Sequence, residues 1–191
     1  MTELAWVAAV VASYLVGTFP SAQLVAGRSI TWEGSGNPGA SNALRVAGRR
    51  AGAAVLLLDL VKGAVPTLIV LVAAGRPLAG ACWAAAVLGH VFPAWRRFHG
   101  GKGVATGAGG ALVLYPVIAL VLLPVFAVVT RLSGKASLGS LAIAVGLVAG
   151  VAVTGRPGWE VVLTAGIVTL VVVRHAANIS RLVRRREPSL R

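Results

Sequence analysis

Two short stretches of this chain concentrate the residue types that bind anions. The first is GSGNPGASNALR, residues 34–45. Gly34 and Gly36 let backbone N–H groups approach an anion closely, and Ser35, Asn37, Ser41 and Asn42 add hydroxyl and amide donors. Arg45 follows with a guanidinium that grips phosphate through two parallel hydrogen bonds. Ser41 or Asn42 is also a candidate cap for the next helix. The plainer reading is a flexible loop, but plain loops rarely collect Ser, Asn and Gly so densely ahead of an arginine. The second stretch is GGKG: Gly100, Gly101, Lys102 and Gly103, directly before an apolar run. Helix N-termini bind phosphate through their open N–H groups and dipole, and Lys102 adds positive charge. It is no Walker A loop: Arg96 stands where the first glycine belongs, and Gly103 where Ser or Thr belongs, so no nucleotide is implied. The plainer reading here is a tight glycine turn carrying an interfacial lysine.

Three further features invite chemistry. His90, with Phe92 and Pro93, ends the helix ahead of GGKG; taken alone it reads as a buried hydrogen-bonding histidine, and beside the motif it is counted among the candidate phosphate-binding residues. In RHAANISRLVRRRE, residues 174–187, the i, i+3 spacing of His175 and Asn178 puts both on one helix face, and Arg181 follows at the same interval. Arg184, Arg185 and Arg186 read instead as a basic tail for anionic headgroups. Asp59 and Lys62 share the i, i+3 spacing inside an apolar span, where charges are costly and tend to pair or to serve function. A structural pair is the reading adopted.

These residues sit in a chain built for lipid. Of 191 residues, 57% are hydrophobic and 12% charged, half the share of a soluble domain, with mean hydropathy +0.85. Long apolar runs recur, and the polar stretches about 28–50 and 174–191 are too short for a core of their own. The chain therefore reads as one transmembrane domain, 1–191. Its net charge of +13 suits membrane-facing loops and phosphorylated substrates rather than nucleic acid. The single cysteine, Cys82, excludes an internal disulfide, and acidic residues are too few and scattered for a metal cluster; no cofactor is expected. The N-terminal run lacks a basic n-region and reads as a retained helix.

Spans are expected at about 4–24, 52–74, 78–95, 138–154 and 158–173. The run 104–130 is too long for one untilted span, at roughly 40 Å against about 30 Å of hydrocarbon. It is either one tilted helix or two segments broken near Tyr115–Pro116. Charge favours the second. A hairpin there puts loops 28–50, 96–103, 131–136 and the tail on one side with fifteen basic residues, against two opposite. The expectation is an all-α bundle of about seven transmembrane helical segments, some short, with the N-terminus outside and the C-terminus cytoplasmic. The segments bearing the motifs then share the cytoplasmic face.

Two phosphate-binding features beside the lipid suggest an enzyme acting on an amphiphile. A transporter or flippase for an organic phosphate is the alternative. It would want polar residues near the midplane and an inverted repeat, and no repeat is visible.

The three motifs, GSGNPGASNALR, GHVFPAW…F.GGKGVATG and RH..NI.RL…E, with LLLDLVKGA at 57–64, resemble in order and spacing those of the bacterial acyl-phosphate:glycerol-3-phosphate acyltransferases, the PlsY family. The resemblance spans nearly the whole chain. It implies acyl transfer from acyl phosphate to the 1-hydroxyl of sn-glycerol 3-phosphate, giving lysophosphatidic acid and phosphate, the first acylation of phospholipid synthesis. It implies no use of acyl-CoA or acyl carrier protein. The His-x4-Asp box of other glycerolipid acyltransferases is missing, since Trp95, Val104 and Ser180 follow His90, His99 and His175 at that spacing. By position, the family's first-motif essential residues fall on Ser35 and Arg45, its phosphate loop on residues 100–103, its third-motif activity residues on His175 and Asn178, and a structural glutamate on Glu187. The chain departs from the family at Ser29 and Thr31, where Asp-x-Arg is usual, at His99 for Lys, and at Arg185 for Gly. A monomer in the bacterial inner membrane is implied, meeting glycerol 3-phosphate from the cytoplasm and acyl phosphate from the lipid. The proton of the attacking hydroxyl goes either to His175 or to the donor's own phosphate. The latter is preferred because no acidic residue adjoins His175 in sequence.

Overall fold

The computed structural model describes residues 2–190, and among them every regular element is helical. Contacts divide the chain into two compact units, 1–114 and 115–191.

The first unit holds α1 (Glu3–Gly17), α2 (Ser21–Ala26), α3 (Ala40–Ala74), α4 (Arg76–Val91) and α5 (Val104–Leu114). Short 3-10 turns, Arg28–Thr31 and Ala94–Arg96, lie in the two connections that carry the motifs. α3 packs against α4 and α5, and α1 lies along α4. Small residues make these crossings close: a Cβ on Gly63 would strike the Thr106 carbonyl, and one on Gly109 the Leu60 carbonyl. Trp83 of α4 is fully buried and donates Nε1–H to the Gly107 carbonyl of α5 at 3.0 Å. That bond satisfies the one polar atom of a large core side chain.

The second unit holds α6 (Pro116–Ser133), α7 (Ala136–Val153), α8 (Gly158–Arg174) and α9 (Ala176–Val183), with α7 packed against α6 and α8. The chain breaks between α5 and α6 at Tyr115–Pro116, as the run 104–130 suggested, because a residue before proline is pushed out of the helical region.

Five segments are long and apolar enough to cross a membrane: Glu3–Ala26, Ala40–Ala74, Arg76–Arg96, Pro116–Ser133 and Ala136–Val153. α8 and α9, bent by 58°, form a sixth together, and α5 is a shorter apolar helix. This is an all-α integral membrane protein.

One boundary differs from expectation. The segment 28–50 is not a loop throughout, because α3 begins at Ala40 and runs for 35 residues. Gly48 interrupts it at φ 85°, ψ −178°. At 1.5 Å per residue the whole of α3 would be about 52 Å long, far beyond about 30 Å of hydrocarbon. The kink separates the first eight residues, which carry Ser41, Asn42 and Arg45, from the long remainder of the helix.

Candidate active site

The first motif is a turn folded onto the start of α3. Gly34 and Gly36 adopt φ +58° and +67°, values that L side chains rarely take, and a Cβ on Gly34 would also strike the Asn42 amide oxygen. Asn42 is 1% exposed and holds the turn from inside. Its Oδ1 accepts the Ser35 N–H at 2.8 Å, and its Nδ2 donates to the carbonyls of Ile30 and Glu33, each at 3.0 Å. Both amide hydrogens thus serve the backbone, so Asn42 shapes the cradle rather than offering donors to an anion. Nor does Ser41 or Asn42 cap α3: the N-cap is Gly39, with no side-chain bond. Ser35 and Arg45 stand exposed at the rim, and Asn37 is half-buried.

The second motif is tied to the end of α4. α5 begins at Val104, directly after GGKG, as the sequence suggested. The Gly100 N–H donates to the Val91 carbonyl at 3.0 Å and the Gly101 N–H to the His90 carbonyl at 3.1 Å. Those two amides anchor the loop to the end of α4. The double glycine is a matter of space: a Cβ on Gly100 would strike the His90 carbonyl, and one on Gly101 the His90 Nε2. Lys102 is half-buried.

Asp59 and Lys62 do pair, at 2.7 Å, and both are nearly buried. Lys62 Nζ also donates to the Phe19 carbonyl at 3.1 Å, and His90 Nδ1 lies 3.6 Å from Asp59 Oδ1. This group borders a small, open cleft whose wall also includes Pro38, Arg96 and Gly101. Pro38 belongs to the first motif and Gly101 to the second, so both motifs reach one cleft. The i, i+3 spacing signals the pair in the sequence. Its place beside GGKG has no local signal.

In the second unit, His175 stands at the α8–α9 bend, 2% exposed. Its Nδ1 is 2.8 Å from the Val171 carbonyl. A carbonyl only accepts, so Nδ1 carries a hydrogen in this contact. The group that orients the ring is therefore a backbone carbonyl four residues earlier, invisible to a search for a neighbouring acid. Asn178 is turned toward Glu187 instead, donating Nδ2–H to Oε1 at 2.6 Å. Glu187 also accepts from Ser137 Oγ at 2.9 Å and from Arg181 Nε at 2.8 Å. Burial alone would raise the Glu187 carboxyl, but the bonds from Asn178, Arg181 and Ser137 and the Arg181 charge prevail and hold it below its ordinary value of 4.5.

The turn that returns Glu187 to α7 and α9 is a Schellman cap. The Arg186 N–H reaches the Arg181 carbonyl at 2.7 Å and the Arg185 N–H the Leu182 carbonyl at 3.0 Å, with Arg185 left-handed at φ 56°. Here a departure from the family pattern falls on the very position that favours glycine.

The family model for glycerol-3-phosphate acyltransferase matches residues 7–185. The chain belongs to the glycerol-3-phosphate acyltransferase family. A glycerol-3-phosphate acyltransferase of Myxococcus xanthus (strain DK1622) is 42% identical over 186 residues, covering 94% of this chain and 97% of that one. One from Gluconobacter oxydans (strain 621H) is 40% identical, covering 94% and 90%. Among solved structures, PlsY, an integral membrane glycerol 3-phosphate acyltransferase in its glycerol 3-phosphate form, matches with TM-score 0.93 at 32% identity, covering 97% of this chain and 95% of that one. Its lysophosphatidic acid form matches with TM-score 0.89 at 31% identity.

Proposed function

We propose that this protein transfers an acyl group from acyl phosphate to the 1-hydroxyl of sn-glycerol 3-phosphate. The hydroxyl oxygen attacks the acyl carbon, the bond from that carbon to the phosphate oxygen breaks, and inorganic phosphate leaves carrying the hydroxyl proton. Phosphate is a good leaving group, so the protein's main task is to align two mutually repelling anions and neutralise them. Ser35, Asn37, Arg45 and Lys102 hold the phosphate groups. The cleft walled by Pro38 and Gly101, the chain neighbours of Asn37 and Lys102, is the observation that carries this reading, and Lys62 and Arg96 are the cations on its wall. The matching PlsY forms with glycerol 3-phosphate and with lysophosphatidic acid support the acceptor and the product. The acyl tail stays in the lipid. The chain acts as one acyltransferase domain, a monomer in the bacterial cytoplasmic membrane with its motifs toward the cytoplasm, where the basic loops favour them.

His175 and Asn178 serve the same reaction. For the proton, direct transfer to the departing phosphate is the simplest route. The alternative is that His175 takes the proton first. Near-normal turnover in His175→Gln would leave the direct route alone.

The donor is tested with purified protein in lipid, labelled glycerol 3-phosphate, and palmitoyl phosphate or palmitoyl-CoA. Labelled lysophosphatidic acid is expected with the acyl phosphate only. Label with palmitoyl-CoA alone would overturn the donor. No label with either would turn attention to transport of an organic phosphate.

A further inference from the structure

We propose that Asp59, Lys62 and His90 form one positioning unit for the GGKG loop, and through it set the affinity for the phosphate-bearing acceptor. The inference rests on the reading of that loop as a phosphate site.

His90 is the hub. Its carbonyl accepts the Gly101 N–H at 3.1 Å, and its ring Nε2 lies where a Gly101 Cβ would be. The loop therefore rests on this residue by backbone and by side chain, with the Val91 carbonyl holding Gly100 beside it. The ring is aimed in turn by Asp59, whose Oδ1 is 3.6 Å from Nδ1. At that distance the contact is electrostatic rather than a closed hydrogen bond. A carboxylate only accepts, so it favours the ring orientation that puts a hydrogen on Nδ1 and turns Nε2 toward Gly101. Asp59 is fixed by Lys62 at 2.7 Å, and Lys62 by the Phe19 carbonyl at 3.1 Å in the turn between α1 and α2. A chain of contacts thus runs from that turn through α3 and the end of α4 to the loop.

Stability is a weak reason to keep such a pair. Replacing a buried ion pair with apolar residues of similar volume is often neutral or stabilising. What this pair supplies is direction. It stands at the wall of a cleft reached by both motifs, rather than sealed in apolar packing. Gly101 is held by His90, so a shift of the ring moves the neighbouring Lys102 backbone. Asp59, Lys62 and His90 act through the loop as positioning residues, and are assigned no contact with the reacting atoms.

The test uses the full-length protein in lipid with two variants. His90→Gln removes the ring. The double variant Asp59→Asn, Lys62→Met removes both charges at similar volume, so no unpaired buried charge is left to unfold it. KM for glycerol 3-phosphate is expected to rise about tenfold in each, with a smaller loss in kcat and an unchanged KM for palmitoyl phosphate. A purely structural role would lower the active fraction, and so kcat, with both KM values unmoved; that result overturns the proposal. Calorimetric binding of inorganic phosphate separates this inference from the functional reading. Inactive wild-type protein whose phosphate affinity still falls in both variants would sink the acyltransferase reading and keep the positioning role. Active wild-type protein with unchanged phosphate affinity in both variants would sink the positioning role alone.

Discussion

Replacing Glu187 with Gln probes the buried cluster that carries Asn178. The carboxylate accepts three hydrogen bonds, two at Oε1 from Ser137 and Asn178 and one at Oε2 from Arg181. A glutamine has one oxygen for these donors. Its best orientation keeps that oxygen toward Ser137 and Asn178 and turns its NH2 toward Arg181. The Arg181 side chain is 37% exposed and can swing into solvent, so the lost ion pair costs only about 1 kcal/mol. The buried amide, facing no acceptor, adds about 1–2 kcal/mol. A total of about 2–3 kcal/mol lowers the melting temperature of a chain of this length by about 4–12 °C. The pH dependence has a definite sign. Because folding depresses the Glu187 pKa, its contribution is fully present above 4.5 and is lost as pH falls through the lower folded value. Thermal unfolding in detergent, scanned from neutral pH downward, reads both effects. The wild-type advantage over Glu187→Gln should hold at neutral pH and shrink below pH 4.5. Equal melting at neutral pH, or an advantage that grows on acidification, would refute the reasoning.

Arg185→Gly should raise the melting temperature by about 1–4 °C, because a left-handed non-glycine costs roughly 1–2 kcal/mol and glycine returns part of that as unfolded-chain entropy. Arg185→Ala keeps the strained φ and should gain nothing in the same melt. Asn42→Ala deletes the three side-chain bonds that Asn42 gives the first motif, so hydrogen exchange at the Ser35 amide should quicken by at least about tenfold. Gly101→Ala should impair turnover by driving a methyl into the His90 ring, whereas Gly107→Ala, which meets nothing within 4 Å, should assay like wild type.

Much of this was legible because apolar length and charge asymmetry are one-dimensional signals. Tyr115–Pro116 breaks the chain where the proline and the loop charges indicated, and α5 starts right after GGKG. What escaped were contacts made through the backbone or across distant segments. By sequence, residues 40–47 fall in the loop 28–50, with a helix cap at Ser41 or Asn42 as a candidate, yet they form the first turns of α3, since Gly48 lets a helix begin early and then bend. Asn42 looked like an anion donor by type, but which carbonyls it meets depends on the fold of residues 30–35. The orienter of His175 is a main-chain carbonyl, and Ser137 reaches Glu187 across fifty residues; neither leaves a spacing to read. Arg185 had a usable signal, the missing glycine, whose meaning appeared only with the Schellman turn.

The central claim is that the acyl group leaves phosphate for the glycerol 3-phosphate hydroxyl in one coupled step. It is tested most directly by measuring, in a single reaction of the reconstituted protein with palmitoyl phosphate and glycerol 3-phosphate, the phosphate released for each lysophosphatidic acid formed. The account predicts one phosphate per product, acylated at the 1-hydroxyl, with both yields falling together in Lys102→Ala. Phosphate released without lysophosphatidic acid, or product formed without phosphate, would contradict it.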